Sequence, residues 1–256
     1  MNEEIERIRR EYAKRDGADF GRKFHYDNPG FMYHMQEREW GIMQALSREG
    51  LNLSATDVLE VGCGTGHILQ RFLDFGAHSA TGVELMSHRV HAGSKRYPGV
   101  RILQADAGHL PFVSESFGLV SQFMCLSSVL DRELRARIAD EMWRVLSPGG
   151  LILSYDLRPS SLVLRAINRL GHHLEFGNAK ADPHPVTPIR PLPASELMEL
   201  YPKGRIRVLS ISLNSHLGAL AKVSRSLPSL LSALPPLRSH FLAVVRKSAE
   251  QDHEKR

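Results

Sequence analysis

Three glycines at alternating positions, Gly62, Gly64 and Gly66, follow the apolar run Val58 to Val61 and precede Ile68, Leu69, Phe72 and Leu73, which recur at helical spacing. At a strand-to-helix turn, glycine permits the required backbone angles and leaves no Cβ between the chain and a ligand. The helix that follows offers free N–H groups and the positive end of its dipole to an anion. Three carboxylates stand at related places. Glu60, just ahead of the turn, can compensate a ligand's positive charge. Glu84, 22 residues past Gly62 and at the end of the next apolar run, can accept hydrogen bonds from both hydroxyls of a ribose. Asp106, in LQADAGHLPF after a third run, can accept from an adenine amino group. A dinucleotide site of G-x-G-x-x-G spacing would need glycine where His67 stands, so the pyrophosphate fingerprint is incomplete.

These residues need strands to hold them. Short apolar runs alternate with helical patterns from Asp57 onward, the signature of a parallel sheet with crossover helices. Strands are expected near Asp57 to Val61, Ala80 to Glu84, Val100 to Gln104, Phe117 to Phe123, Gly150 to Tyr155, Arg205 to Leu213 and His240 to Arg246. Asp131 opens a helix with Leu134, Ile138, Met142 and Val145 on one face, ended by Pro148, Gly149 and Gly150. Ahead of the first strand, Ile5, Ile8 and Tyr12 mark an amphipathic helix over residues 3–15, and a second helix spans about Phe31 to Arg48. The expected fold is therefore α/β: a doubly wound, mostly parallel seven-stranded sheet with a helical insertion before the last strand. Residues 1–50 form an N-terminal helical cap, 51–247 the core with its insertions, and 248–256 a disordered tail.

Composition sets the bounds. The chain has 256 residues, 42% hydrophobic and 24% charged, enough for one large core. The start, MNEEIERIRREY, alternates charges where a secretory signal would be apolar, and no uncharged apolar run reaches 18 residues. A cytoplasmic protein with no transmembrane span is expected. Cys63 and Cys125 lack the spacing of a zinc or redox motif and are expected to be reduced. The net charge is −3 over residues 1–157 and +8 over residues 158–256. Such asymmetry suits an acidic substrate, a membrane surface, nucleic acid, or simply a solvated basic face.

The pieces VLEVGCGTG, TGVEL, LQADAGHLPF and EMWRVLSPGGLILSYD, in that order over about residues 57–157, resemble the class I, Rossmann-like S-adenosylmethionine-dependent methyltransferases. The likeness is to the small-molecule branch that includes the ubiquinone-biosynthesis methylases and methyltransferase type 11. It implies S-adenosylmethionine as cofactor, with contacts from Glu60, Gly62, Gly64 and Gly66, ribose contacts from Glu84, and adenine-side contacts from Leu85, Asp106 and Ala107. Gln122 or Phe123 would approach the methionine end. One departure is Gly118, which follows Phe117 where the family usually reads Phe-Asp.

Methyl transfer from a sulfonium is a displacement with a neutral leaving group, so the main task is alignment of the acceptor at about 3 Å from the methyl carbon. A general base is needed for an alcohol and dispensable for a thiolate. Catalytic candidates on the acceptor side are Tyr155 and Asp156, with Arg158, Tyr26 and Arg38 beside them. Each has a structural alternative: Asp156 as a turn cap, Tyr155 as core, Arg38 as a solvated helix residue. Neither His88 with His91 nor His172 with His173 has the acidic or cysteine partners of a zinc set, so no metal is expected.

The expected reaction is methylation of an oxygen or nitrogen of a small-molecule acceptor, such as a metabolite, natural product or glycan precursor. Alternatives are methylation of RNA or another macromolecule, binding of S-adenosylmethionine without turnover, and a dehydrogenase. A DNA partner is not expected, because the stretch after the fourth strand, SQFMCLSS, lacks the Asn/Asp-Pro-Pro-aromatic loop of base-amine methylases. The leucine-rich run 214–239 reads as a mobile lid over the acceptor, as a fixed helix pair, or as a membrane-surface contact. The oligomeric state is left open.

Overall fold

The structure is a computed structural model that describes residues 2–16, 28–173, 188–224 and 226–249. Tyr26, the middle of the proline-rich connection with Pro183 and Pro185, and the tail beyond Ala249 lie outside the described residues. The apolar runs form one seven-stranded sheet: β1 (Asp57–Val61), β2 (Ser79–Glu84), β3 (Arg101–Gln104), β4 (Phe117–Phe123), β5 (Leu146–Leu157), β6 (Arg205–Leu213) and β7 (Arg238–Arg246). Their order is β3-β2-β1-β4-β5-β7-β6, with β7 antiparallel to both of its neighbours. The chain winds outward from β1 in one direction and from β4 in the other. Between those two strands lies the crevice where such sheets receive ligands.

Helices cover both faces. The helices are α1 (Asn2–Asp16), α2 (Pro29–Glu49), α3 (His67–Asp74), α4 (Ser87–Arg96), α5 (Arg132–Val145), α6 (Leu162–His173), α7 (Ala194–Leu200), α8 (Ser215–Gly218) and α9 (Ser226–Ser232). On one face Val58, Leu119, Leu153 and Val244 meet Ile42, Ala45 and Leu46 of α2 and Ile68 and Phe72 of α3. On the other, Leu59, Val120, Ile152 and Val245 meet Leu134, Ile138 and Met142 of α5 and Leu197 of α7. Each such aliphatic side chain contributes about 1.5–3 kcal/mol by leaving water.

Local chemistry starts and stops these helices. The Asn28 carboxamide oxygen accepts from the Gly30 N–H at 3.1 Å, Pro29 occupies the first turn of α2, and Gly50 ends it in the left-handed region. Asp131 caps α5 by accepting from the Leu134 N–H at 2.8 Å. The end of α5 differs from the expectation. It stops at Val145, and Pro148, Gly149 and Gly150 belong to the first part of β5. Phe117 pairs with Leu146 and Leu119 with Leu151, so the Pro-Gly-Gly residues are absorbed as a bulge at the foot of the strand. Gly118 sits in the partner strand at that shift, where a Cβ would stand 3.1 Å from the Thr56 methyl, a crowding that an aspartate would worsen.

One buried ion pair ties α5 to α7, and the same arginine reaches the loop after β4. The Arg135 guanidinium donates to Glu196 Oε1 at 2.7 Å and to the Val129 carbonyl at 2.6 Å, with its side chain wholly out of solvent. Removing one partner leaves the other charge buried. Arg135→Ala is expected to cost about 3–5 kcal/mol in guanidinium unfolding, and Arg135→Met combined with Glu196→Leu much less. Equal losses for the single and double variants would show that packing, rather than the stranded charge, sets the cost.

Candidate functional site

The carboxyl end of β1 enters the glycine turn, and β2 pins it there: the N–H groups of Gly62 and Cys63 both donate to the Val83 carbonyl, at 2.9 and 3.0 Å. Gly62 has a φ of +71°, and a Cβ on it would lie 2.8 Å from Cys125 Sγ in the loop after β4. Gly64, at φ +57°, faces open space with nothing within 4 Å of its would-be Cβ. The turn is thus tight against protein at one glycine and bare at the next. That is a cradle for a ligand which approaches backbone.

Of the carboxylates expected from sequence, Glu84 bonds directly to this turn. Glu84 is buried at the end of β2 and accepts from the Gly64 N–H at 2.9 Å and the Met86 N–H at 3.0 Å, which leaves lone pairs on both oxygens. Asp106, half-buried past β3, accepts from the Gly108 N–H at 2.8 Å. Leu85 and Ala107 flank these two carboxylates and are also half-buried. Glu60 is the most deeply set, only 2% exposed, and its Oε2 makes no hydrogen bond. Burial pushes its pKa up to about 8, against the opposing pull of the Arg38 cation and with a further push from Glu84. Burial also raises the thiols of Cys63 and Cys125, both of them free.

Gln122, expected on the cofactor side, and the acceptor-side candidates Asp156 and Arg158 are all engaged in hydrogen bonds within the fold. Gln122 is fully buried and saturated: its amide donates to Ser154 Oγ at 2.6 Å and to Asp156 Oδ2 at 3.3 Å, and its oxygen accepts from the Cys125 and Leu126 N–H groups. Asp156 accepts from the Ser127 and Leu157 N–H groups at 3.0 and 2.9 Å. Burial raises its pKa to about 6, while those donors hold it down. Gln122 and Asp156 together brace the loop after β4 from beneath, the work of positioning groups. Arg158 likewise joins strands, donating to Ser210 Oγ and the Pro235 carbonyl.

Tyr155 is fully buried, but it belongs to a polar cluster at the carboxyl edge of the sheet. Its hydroxyl lies 2.8 Å from both His34 Nε2 and Ser212 Oγ, and its ring stacks on His240 at 4.9 Å and 6°. The Arg38 guanidinium sits 5.6 Å over the Phe123 ring, within 6.0 Å of Tyr155. Burial pulls His34 down to about 4 and His240 well below its ordinary value, so both imidazoles are neutral at pH 7. Sequence reasoning named Arg38 and Tyr155 but missed His34, Ser212 and His240. A signal existed for one of them: His34 precedes Arg38 by four residues, one helical turn on the same face.

The N-terminal helix closes the site from the other side. Arg7 donates to the Ser128 carbonyl at 2.7 Å, Tyr12 meets Ser128 Oγ at 2.8 Å, and Glu4 accepts from the Leu130 N–H at 2.6 Å. Asp16 pairs with Arg89 of α4, just past Glu84.

Residues 58–150 match a family model described as a methyltransferase domain. Over residues 58–150 the chain is therefore similar to the class I S-adenosylmethionine-dependent methyltransferases. It is 28% identical over 145 residues to the sterol 4-C-methyltransferase of Caenorhabditis elegans, covering 54% of this chain and 42% of that protein. It is 31% identical over 186 residues to phthiotriol/phenolphthiotriol dimycocerosates methyltransferase 1 of Mycobacterium ulcerans, covering 71% and 59%. The chain spans about half the length of the curated relatives it matches. Among solved structures, a methyltransferase from Methanosarcina mazei superposes with a TM-score of 0.57 at 19% identity, over 80% of this chain and 98% of that one. The 4+2 cyclase SpnF also gives 0.57, at 17% identity, over 83% and 81%. At these identities the match is one of fold, the Rossmann-like sheet of this methyltransferase class.

Gly62→Ala is expected to destabilise the fold by about 1–3 kcal/mol, because it combines a left-handed backbone with a clash against Cys125. Adding Cys125→Ala should return the steric part and leave the backbone part, as read from denaturation midpoints. A double variant no better than Gly62→Ala would remove Cys125 from the account.

Proposed function

We propose that this chain transfers the methyl group of S-adenosylmethionine to an oxygen or nitrogen of a small-molecule acceptor with an apolar body. The observation that carries the reading is the buried Glu60 carboxylate, which has one oxygen without a hydrogen bond beside a bare glycine turn. A buried acceptor of that kind fits a cationic ligand, and Glu84 and Asp106, on the neighbouring strand ends, suit a nucleoside. Bound S-adenosylmethionine would supply an electrophilic methyl on a sulfonium. Glu60 would face its ammonium, the Gly62 to Gly66 backbone its carboxylate, Glu84 its ribose, and Leu85, Asp106 and Ala107 its adenine.

The acceptor would enter over Phe123, beside Arg38, His34 and His240. A neutral imidazole such as His240 would be placed to take the proton that a hydroxyl or amine acceptor loses on methylation. Relatives named for sterol and phthiotriol substrates support an apolar acceptor class, and the sterol enzyme's name puts its methyl on carbon. We read the insertion 214–239 as a cover for this crevice. Its latch is Glu37, which accepts from the Leu213 N–H at 2.8 Å and holds Ser232 of α9. If the cover opens, amides of 214–239 exchange quickly in the free protein and slow on ligand binding; slow exchange in both states would show a fixed layer.

Calorimetry with S-adenosylmethionine and with its demethylated product is expected to give a Kd of about 1 μM, or roughly −8 kcal/mol. Glu60 adds a proton signature. Between its ordinary 4.5 and about 8, the ligand-free fold holds a proton that the unfolded chain does not, so stability falls as pH rises through that window and levels off above it. A cationic ligand favours the carboxylate and expels the proton. Affinity should therefore rise with pH up to about 8, with proton release detected by comparing buffers, and Glu60→Gln should flatten the profile. Absence of binding by either ligand would overturn the reading. With binding in hand, a labelled-methyl screen of hydroxylated lipids, phenols and amines identifies the acceptor class.

A further inference from the structure

Surface helices of a globular protein turn their apolar stripe inward. Helix α9 does the reverse. Its buried residues are Pro228 and Ser232, while Leu227, Leu230 and, just past its end, Leu234 are exposed at steps of three and four residues, the spacing of one helical face. Leu230 is 70% exposed, and Val223, in the turn ahead of α9, is 85% exposed. The first turn of α6 adds Leu162, 77% exposed, and Val163. The two helices share a ridge: Ser161 Oγ donates to the Pro236 carbonyl at 2.9 Å, and Asn214 donates to Asn168 at 3.0 Å.

Among the described residues, charge around this ridge has one sign. Neither residues 157–173 nor residues 201–249 contain an Asp or Glu. At the far end of the sheet, Arg205, Arg207 and Arg246 gather around the single carboxylate of Glu49. At the ridge stand Arg165, Arg169 and Lys222, all exposed, with Arg158 and Arg238 behind them, and the acidic residue that reaches the insertion is Glu37, occupied with Leu213 and Ser232. Exposed leucines set among lysines and arginines match the two layers of a bilayer surface, acyl chains below and anionic headgroups above.

We propose that the ridge built by the start of α6 and by residues 222–237 docks on the surface of an anionic lipid bilayer, next to the crevice through which an apolar acceptor would enter. No helix among the described residues is long and apolar enough to cross a membrane, so the contact is with one face of the bilayer. Docking of this face needs no catalysis. A second copy of the chain offers the competing partner for an exposed apolar stripe, but two copies would bring like charges together.

The test is co-sedimentation of the full chain with vesicles of phosphatidylcholine alone and of phosphatidylcholine with phosphatidylglycerol. Binding is expected to the mixed vesicles, weakened by added salt as headgroup attraction is screened. Leu230→Glu with Leu234→Glu should lower the partition coefficient on the order of tenfold or more, and Lys222→Glu should lower it on mixed vesicles. Retained calorimetric binding of the demethylated cofactor shows that a variant is folded. Three results would overturn docking: wild-type chain left in the supernatant with both vesicles, a leucine variant that binds as well as wild type, or concentration-dependent self-association lost in that variant without vesicle binding. Vesicle binding by a chain that takes no S-adenosyl ligand would sink the methyl-transfer reading and leave docking standing.

Discussion

A carboxylate placed inside a sheet edge, with one oxygen lacking any partner, is an expensive feature for a fold to keep. Lifting Glu60 from 4.5 to about 8 corresponds to a penalty on the order of 5 kcal/mol for the ionised form, comparable to the whole net stability of many domains. The surrounding structure is arranged around that group. The register of β1 between β2 and β4 sets Glu60 opposite Gly82 and Ser121, so that its side chain emerges where α2 brings Arg38 and where Glu84 ends the next strand. The glycine turn then keeps side chains out of the space the carboxylate faces. Without a cationic ligand the arrangement is a defect. With one, each feature has a reason.

The same edge of the sheet carries a second polar layer that is fully satisfied, and the contrast separates positioning groups from binding groups. Gln122 and Asp156 give their hydrogen-bonding capacity to Ser154 and to the N–H groups of Cys125, Leu126, Ser127 and Leu157. They fix the loop whose Cys125 forms the wall against Gly62. A saturated buried carboxylate has little left to offer a substrate; among the neutral imidazoles, His34 is engaged by the Tyr155 hydroxyl, while His240 meets Ser239 Oγ through Nδ1.

Which parts were legible in the sequence follows from the range of the interactions involved. The strands, the glycine turn and the order Glu60, Glu84, Asp106 are local signals, since a strand's end and the residue after it are neighbours in the chain. The Pro-Gly-Gly segment misled because those residues stop helices and also sit in bulges, and pairing with β4, some thirty residues away, decides between the two. Tyr155 and Asp156 were readable as lying at a strand end, with Tyr155 as core one of the readings left open and the burial of Asp156 not foreseen. Depth depends on β7 and α2 closing over them, and the His34, Ser212 and His240 cluster joins three elements spread over two hundred residues. No local pattern encodes such a meeting.

Charge illustrates the same point from the other direction. In sequence the cations of the second part of the chain look scattered. In the fold they separate into a group gathered around Glu49 at one edge and, at the other, a group beside the outward-facing leucines that forms no ion pair among the described residues. The sheet that two proteins share does not determine their chemistry: the same architecture superposes on a methyltransferase and on a 4+2 cyclase. What distinguishes this chain are features added to the sheet, chiefly α2 with His34 and Arg38, and an insertion whose helix turns its leucines outward. The insertion's polar side is bound to α2 through Ser232 and Glu37, so the leucines face away from the core by construction rather than by loose packing. An apolar face held outward by its own hydrogen bonds suits a partner surface, and the lack of carboxylates around it among the described residues favours a partner of negative charge.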